Sequence, residues 1–225
     1  MRVYLYTLDP AYVLKTLPEL AAGLRFTLLV SLVGITGSLL VGLVGGALRA
    51  ARVPVVDQVV GAYVEFFRNT PLLVQIFFLY FGLPELHLTF SAFNVAWLAL
   101  VLWGGAYNVE NFRAGFQAVN RGYQEAARAL GLTAWTTFLY VVLPIGLRTA
   151  LPSLSNTCIS VLKNSSYMVA ISFPELMTTA VNIVSLSFRV FEVFGAIAVI
   201  YLVLVWALSG FMSVVERRLA LPEGA

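Results

Sequence analysis

The sequence predicts an all-α integral membrane protein that crosses the bilayer with five helices, and three observations carry that prediction. Hydrophobic residues fill 60% of the 225 positions and mean hydropathy is +0.89, a composition suited to lipid rather than to a soluble core. The apolar residues gather in long runs. Short stretches between the runs hold the charges, which amount to only 11% of the chain. One membrane domain of this kind occupies the whole length and leaves no room for a nucleotide-binding domain. The formal charge of +3 comes from Lys and Arg near the ends of the runs, so it reports orientation in a membrane and not a nucleic-acid partner.

Residues 1–22 mix tyrosines, Pro10, Lys15, Pro18 and Glu19 with leucines, which suits an interfacial N-terminal segment; the order of a signal peptide is missing. The transmembrane domain is predicted over residues 23–218, followed by a short tail, 219–225. Its first span covers residues 23–48, enough at 1.5 Å per residue to cross a hydrocarbon core of about 30 Å. Gly34, Ser38, Gly42 and Gly46 recur there at every fourth position and form a smooth stripe for close helix packing, within the chain or against a second copy. Arg49, Arg52, Pro54 and Asp57 make a polar connection to a second span, residues 58–83. Glu65 there stands at helical pair spacing from Arg68 and Asn69, which predicts that they satisfy one another as a snorkelling pair or beside a translocation path. Residues 84–90, with the single histidine His87, form a turn. The third span, residues 92–112, is apolar until Asn108, Glu110, Asn111 and Arg113.

A polar island follows at residues 125–144, EAARALGLTAWTTFLYVVLP. Strong helix formers up to Leu130, then Gly131 as a stop and Thr133 as a fresh N-cap, predict two short helices meeting at a glycine. Ala126, Ala127 and Ala129 give this elbow a small-residue face for a partner's groove, with Glu125 and Arg128 fixing register. The fourth span, residues 150–173, is unusually polar, with Pro152, Ser153, Ser155, Asn156 and Thr157 and then Lys163, Asn164, Ser165 and Ser166. A lysine inside a membrane is costly unless it is paired or faces a wet cavity, so these last four are candidates for a substrate pathway; the other reading is that Lys163 snorkels or pairs with Glu65 or Glu110. Residues 174–188, with Glu175 near the start, read as a short external helix. The last span, residues 193–215, closes on Glu216, Arg217 and Arg218.

Five spans place Arg49, Arg52, Arg113, Arg121, Arg128, Arg148, Arg217 and Arg218 on one side, and Arg2, Lys15, Arg25 and Arg189 on the other. The positive-inside rule then predicts the N-terminus outside and the polar island and C-terminus in the cytoplasm. The single Cys158 excludes an internal disulfide and a cysteine-pair metal site. No span carries a catalytic or metal-binding constellation at helical spacing, and no phosphate-binding Gly-x-x-x-x-Gly-Lys-Ser/Thr loop is present.

The island's spacing is Glu125-Ala126-Ala127, three residues, Gly131, nine residues, Val141, one residue, Leu143-Pro144. It resembles the EAA loop, about residues 120–145, of the membrane subunits of ATP-binding-cassette (ABC) importers, with Val141 in place of isoleucine. The stretches YVEFFRNTPLLVQIFFLYFGLP, NFRAGFQAVNRGYQEAARALGL and LPSLSNTCISVLKNSSYMVAISFPELM extend the resemblance over residues 24–219 to the permeases of polar amino-acid importers, the histidine/glutamine/glutamate group. That resemblance implies a type I importer permease fold in the inner, cytoplasmic membrane. Its implied partners are a cytoplasmic ATPase dimer that binds ATP and Mg, an extracytoplasmic substrate-binding protein, and a second permease, identical or related. It implies ATPase docking through Glu125, Ala126, Ala127, Arg128, Gly131, Leu143 and Pro144. Asn164 offers no carboxylate beside Lys163, which favours acidic or polar neutral amino acids as cargo. The alternatives are a permease of the same architecture for another small solute, and a secondary transporter or channel subunit with an ion or proton site in its fourth span.

Overall fold

The computed structural model describes residues 9–51 and 54–219, and within them every element is helical. Arg2 and Arg52, both counted in the orientation argument, and residues 220–225 of the tail lie outside the described residues.

Helix α1, Pro10–Ala50, starts where Asp9 accepts from the Ala11 amide at 3.1 Å and Pro10 takes the first helical position. It runs 41 residues through Pro18, so helix continues across residue 22 into the first span. At about 62 Å it is roughly twice as long as the hydrocarbon core is thick. Its far end from the polar island is anchored: the Asp9 amide donates to Glu192 and the Arg189 guanidinium lies 5.8 Å from the Tyr12 ring centre.

The predicted second span is not one straight helix. It divides into α2, Pro54–Asn69, and α3, Leu72–Phe77, which continues through a π turn to Leu86; the two halves meet at 105°. Pro71 causes the break, since it has no N–H to continue the ladder and forces extended backbone around it (its own ψ is 134°). The carbonyls this orphans are satisfied by one side chain: the Gln75 amide donates to Phe67 O at 3.0 Å and to Thr70 O at 3.1 Å. Glu65 and Arg68 form no ion pair, contrary to expectation. Both are exposed, and Arg68 instead lies over the Tyr107 ring, 5.0 Å from its centre.

Helix α4, Ala92–Gln117, packs along α1 in register. A Cβ added to Gly34 would come within 2.9 Å of Leu100, one on Gly104 within 2.9 Å of Ser38, one on Gly46 within 2.6 Å of Phe112, and one on Gly42 would overlap Asn108. The small stripe therefore serves an intramolecular seam. Residue numbers rise together along both helices, so α1 and α4 are parallel, and the bent α2–α3 segment must return across the bundle between them. Among the described residues four helices are long and apolar enough to cross a membrane, and five if the bent pair counts as one span.

After α5, Arg121–Ala129, helix begins again at α6, Ala134–Thr137, and passes through a π turn into α7, Leu143–Asn164, and a 3-10 segment ending at Ile171. The predicted second short helix of the elbow is thus the first turn of the fourth span, which starts at residue 134 and not at 150. The chain keeps its helix because Pro144 falls in the first turn of α7, where a missing N–H is tolerated. Helix α7 is antiparallel to α4: Gly115 meets Gly146 and Ala150, while Gly104 meets Val161. Helices α8, Leu176–Ser187, and α9, Val190–Leu219, complete the bundle. Glu216, near the end of α9, accepts from Ser155 on α7.

Candidate functional site

Two regions hold polar groups that the packing of the bundle does not require. The first is the elbow between α4 and α7. Asn120 caps α5 by accepting from the Gly122 amide at 2.8 Å, and Thr133 caps α6 by accepting from the Thr136 amide at 3.2 Å. Gly131 joins them at φ +80°, the left-handed region that closes α5 with bonds from Gly131 N to Arg128 O and Leu132 N to Ala127 O. Nothing lies within 4 Å of a Cβ at Gly131, so the turn stands clear of the bundle.

The candidate docking residues divide by exposure. Glu125, Ala126, Arg128 and Gly131 are exposed, Leu143 and Pro144 are half-buried, and Ala127 points into the chain's own packing. Glu125 and Arg128 have no ion-pair partner among the described residues. Beside them stand large apolar side chains that sequence reading did not single out: Tyr123, Leu130 and Trp135 are 43%, 82% and 66% exposed. Their signal was available in the helical spacing, because Tyr123, Ala127 and Leu130 stand at i, i+4 and i+7 and so share one face of the island's first helix, where two large apolar side chains flank a small one.

The elbow is tied to the bundle by a charge cluster at the end of α4. Glu110 accepts from Arg113 on its own helix and from Arg49 at the end of α1, and Arg49 also bonds Asp57 of α2 at 2.8 Å. Three helices are thereby locked together about two turns before α4 hands the chain to the elbow.

The second region is a cleft of about 410 Å³ between α4 and α7, walled by Trp103, Tyr107 and Asn111 on one side and Ser153, Asn156, Thr157 and Ser160 on the other. Asn111 crosses it, donating to Thr157 Oγ1 at 2.9 Å and to Ser153 O at 3.3 Å. It also donates to Asn108 Oδ1 at 3.3 Å, and Asn108 in turn donates to Ser38 Oγ at 3.2 Å in the α1–α4 seam. A hydrogen-bond chain therefore runs from the seam to the cleft. The predicted pathway residues lie further along α7. Lys163 is exposed and makes no ion pair among the described residues, Glu110 being held by arginines. Asn164 and Ser166 are half-buried, and the Ser166 hydroxyl donates to Lys163 O at 2.8 Å. Ser165 is fully buried and donates to Leu162 O at 2.7 Å.

Below Ser165 sits a polar node whose density sequence reading missed. Glu175, 0% exposed, caps α8 by accepting from the Met177 and Thr178 amides at 2.8 Å, and also accepts from Thr178 Oγ1 at 3.0 Å and Tyr201 Oη at 3.2 Å. The Leu176 amide donates to Thr27 Oγ1 of α1 at 3.0 Å. Burial pushes the Glu175 carboxyl above the usual carboxylate range, against the pull of its four donors.

Similarity to known proteins covers this whole arrangement. The family described as binding-protein-dependent transport system inner membrane component matches residues 34–221. The glutamine transport system permease protein GlnP of Escherichia coli (strain K12) is 34% identical over 213 residues, 94% of this chain and 97% of GlnP. A crystal structure of an amino acid ABC transporter with histidines superposes with a TM-score of 0.87 at 36% identity, covering 95% of this chain and 100% of that one. The inward-facing MetNI methionine ABC transporter shares the fold alone, with a TM-score of 0.80 at 19% identity over 92% of this chain and 99% of that one.

Proposed function

The chain belongs to the family of binding-protein-dependent transport system inner membrane components, and from that premise we propose that its elbow docks a cytoplasmic ATPase and its α7 face passes an acidic or polar neutral amino acid. It is a multi-pass membrane transport subunit of an amino-acid ABC importer, and not an enzyme; ATP hydrolysis belongs to a separate subunit. The observation that carries the docking reading is the elbow: a glycine turn at φ +80° standing clear of the bundle, with unpaired Glu125 and Arg128 beside exposed Leu130 and Trp135. Exposed apolar groups ringed by unsatisfied charges mark a protein interface.

Motion would enter here. When the ATPase dimer closes on ATP and Mg, the elbow moves with it, and the Glu110 cluster passes the displacement rigidly to α1, α2 and α4. The cytoplasmic placement of elbow and C-terminus rests on the arginines named above. A second permease, identical or related, would complete the passage, and a soluble extracytoplasmic protein would deliver the cargo. Lys163 would attract the substrate carboxylate, with Asn164, Ser165 and Ser166 as hydrogen-bonding neighbours.

The test is reconstitution in liposomes with candidate ATPase and binding protein, measuring ATP-dependent uptake of labelled glutamate, glutamine, aspartate, histidine and arginine. Gly131→Trp is expected to abolish ATPase assembly, and Lys163→Ala to stop uptake while assembly survives. Uptake without ATP would overturn the importer reading. Normal transport by Lys163→Ala would make that lysine structural.

A further inference from the structure

Helix α7 wears a polar stripe that the rest of the chain leaves open. Thr149, Ser153, Asn156, Ser160 and Lys163 recur at spacings of three and four, which puts them within about an 80° arc of the helix. Thr149, Ser153, Asn156 and Lys163 are exposed and Ser160 is half-buried, while Leu154, Cys158, Val161 and Leu162 on the opposite face are buried. The stripe runs about 21 Å along the axis. A helix long and apolar enough to span a membrane cannot turn such a stripe to hydrocarbon without leaving polar groups unsatisfied there, so it faces water, a solute or another chain.

The middle of the stripe opens on the cleft of about 410 Å³, a volume that fits a small solute. The Asn156 amide has no hydrogen-bond partner among the described residues, and Ser160 spends its proton on Asn156 O, leaving its lone pairs open. Opposite them, Tyr107 and Trp103 pack with their rings tilted by 41° and 4.6 Å between centres, and Tyr107 carries the exposed Arg68 guanidinium. None of the residues lining the cleft is a carboxylate.

We infer that Asn156 and Ser160, about 10 and 4.5 Å along α7 from Lys163, form with Arg68 at the rim above Tyr107 a substrate subsite which takes amino acids with neutral polar or acidic side chains and rejects cationic ones. The inference rests on the amino-acid importer reading. Arg68 matches a substrate carboxylate, and the Asn156 amide offers both donor and acceptor to a polar side chain. Against the lining of the cleft a guanidinium or ammonium side chain would meet only dipoles, with the like charge of Arg68 at the rim; Glu110, whose carboxylate acts on Arg68, lies outside the lining and is already held by Arg49 and Arg113, and this arrangement discriminates against a cationic side chain.

The experiment uses the permease–ATPase complex in lipid nanodiscs and a membrane-impermeant maleimide. Native Cys158 is buried and supplies a low background, N156C probes the subsite, and V203C on the exposed apolar surface of α9 is the lipid-facing control. N156C is expected to react at least about tenfold faster than V203C. Glutamine at about ten times its dissociation constant is expected to slow that reaction about tenfold, the fraction of sites it leaves empty. Arginine at the same concentration is expected to have no effect. If N156C reacts no faster than V203C, the stripe is covered and the subsite does not exist. Equal protection by arginine, or none by glutamine, removes the proposed selectivity. Should N156C fail to co-purify with the ATPase, S160C carries the same measurement. Labelling needs no ATP, so a wild-type complex that transports without ATP defeats the importer reading and leaves these outcomes readable.

Discussion

Two stripes of this molecule obey the same rule of spacing and meet opposite fates. On α1, Gly34, Ser38, Gly42 and Gly46 lie one turn apart and are filled completely by Leu100, Gly104, Asn108 and Phe112 of α4. On α7, Ser153, Asn156, Ser160 and Lys163 lie one turn apart and are filled by nothing the chain supplies. A stripe of small residues satisfies itself, because removing side chains lets two backbones approach until no space remains. A stripe of polar residues that no neighbour covers must be completed by water, by cargo or by another chain. The first holds the subunit together, and the second is the face we propose for the cargo.

The widest gap between the stripes should appear on enlarging one residue of each. Gly42→Leu drives a side chain into the Asn108 backbone, and we expect a loss of about 3 kcal/mol or failure to assemble, read by thermal unfolding of the detergent-solubilised complex. Asn108→Leu tests the bridge between the stripes: it strips Ser38 and Asn111 of a partner and should cost about 2 kcal/mol by the same assay. The elbow should be softer. Gly131→Ala has room for its methyl group but must hold φ near +80°, so a cost of about 1 kcal/mol is expected, with ATPase co-purification weakened and not lost.

Glu175 gives a comparison by pH. Its carboxyl is raised above the ordinary 4.5, so the folded state holds the proton more tightly than the unfolded one. Stability is therefore greatest below 4.5 and falls as pH rises through the raised value. Glu175→Gln should flatten that slope in unfolding midpoints taken across pH; an unchanged slope would place the titration elsewhere. The smallest effect belongs to the open stripe: Asn156→Leu should change unfolding stability by less than about 0.5 kcal/mol, since the amide has no partner to lose, while reducing uptake. A large loss of stability would mean that the stripe is packed after all.

Much of this was legible from residue order alone. The apolar runs marked the membrane-crossing segments, because lipid admits few alternatives for a polar backbone, but not where each helix begins: the first starts at Pro10 and the fourth at Ala134. Glycine and threonine chemistry fixed the elbow at Gly131 and Thr133, since both the left-handed turn and the N-cap are local events. The four-residue period announced the α1 stripe, and the polarity of the fourth span announced the α7 stripe.

Contact between distant residues was not legible. Helical spacing placed Glu65 beside Arg68, but the guanidinium found Tyr107, 39 residues away, because an aromatic face across the bundle competes with an exposed carboxylate on the same helix. The second span reads as one helix, yet the structure turns it by 105° at Pro71, with Gln75 reaching back to cap the broken end. Likewise Glu110, Asn111 and Glu175 read as polar residues near span ends, and only packing joined each to partners on other helices. The sequence determined what each segment is, because period, caps and hydropathy act within a few turns of chain. The tertiary structure decided which polar groups are spent and which remain open, because satisfaction of a buried donor or acceptor depends on atoms that the chain brings near only when it folds.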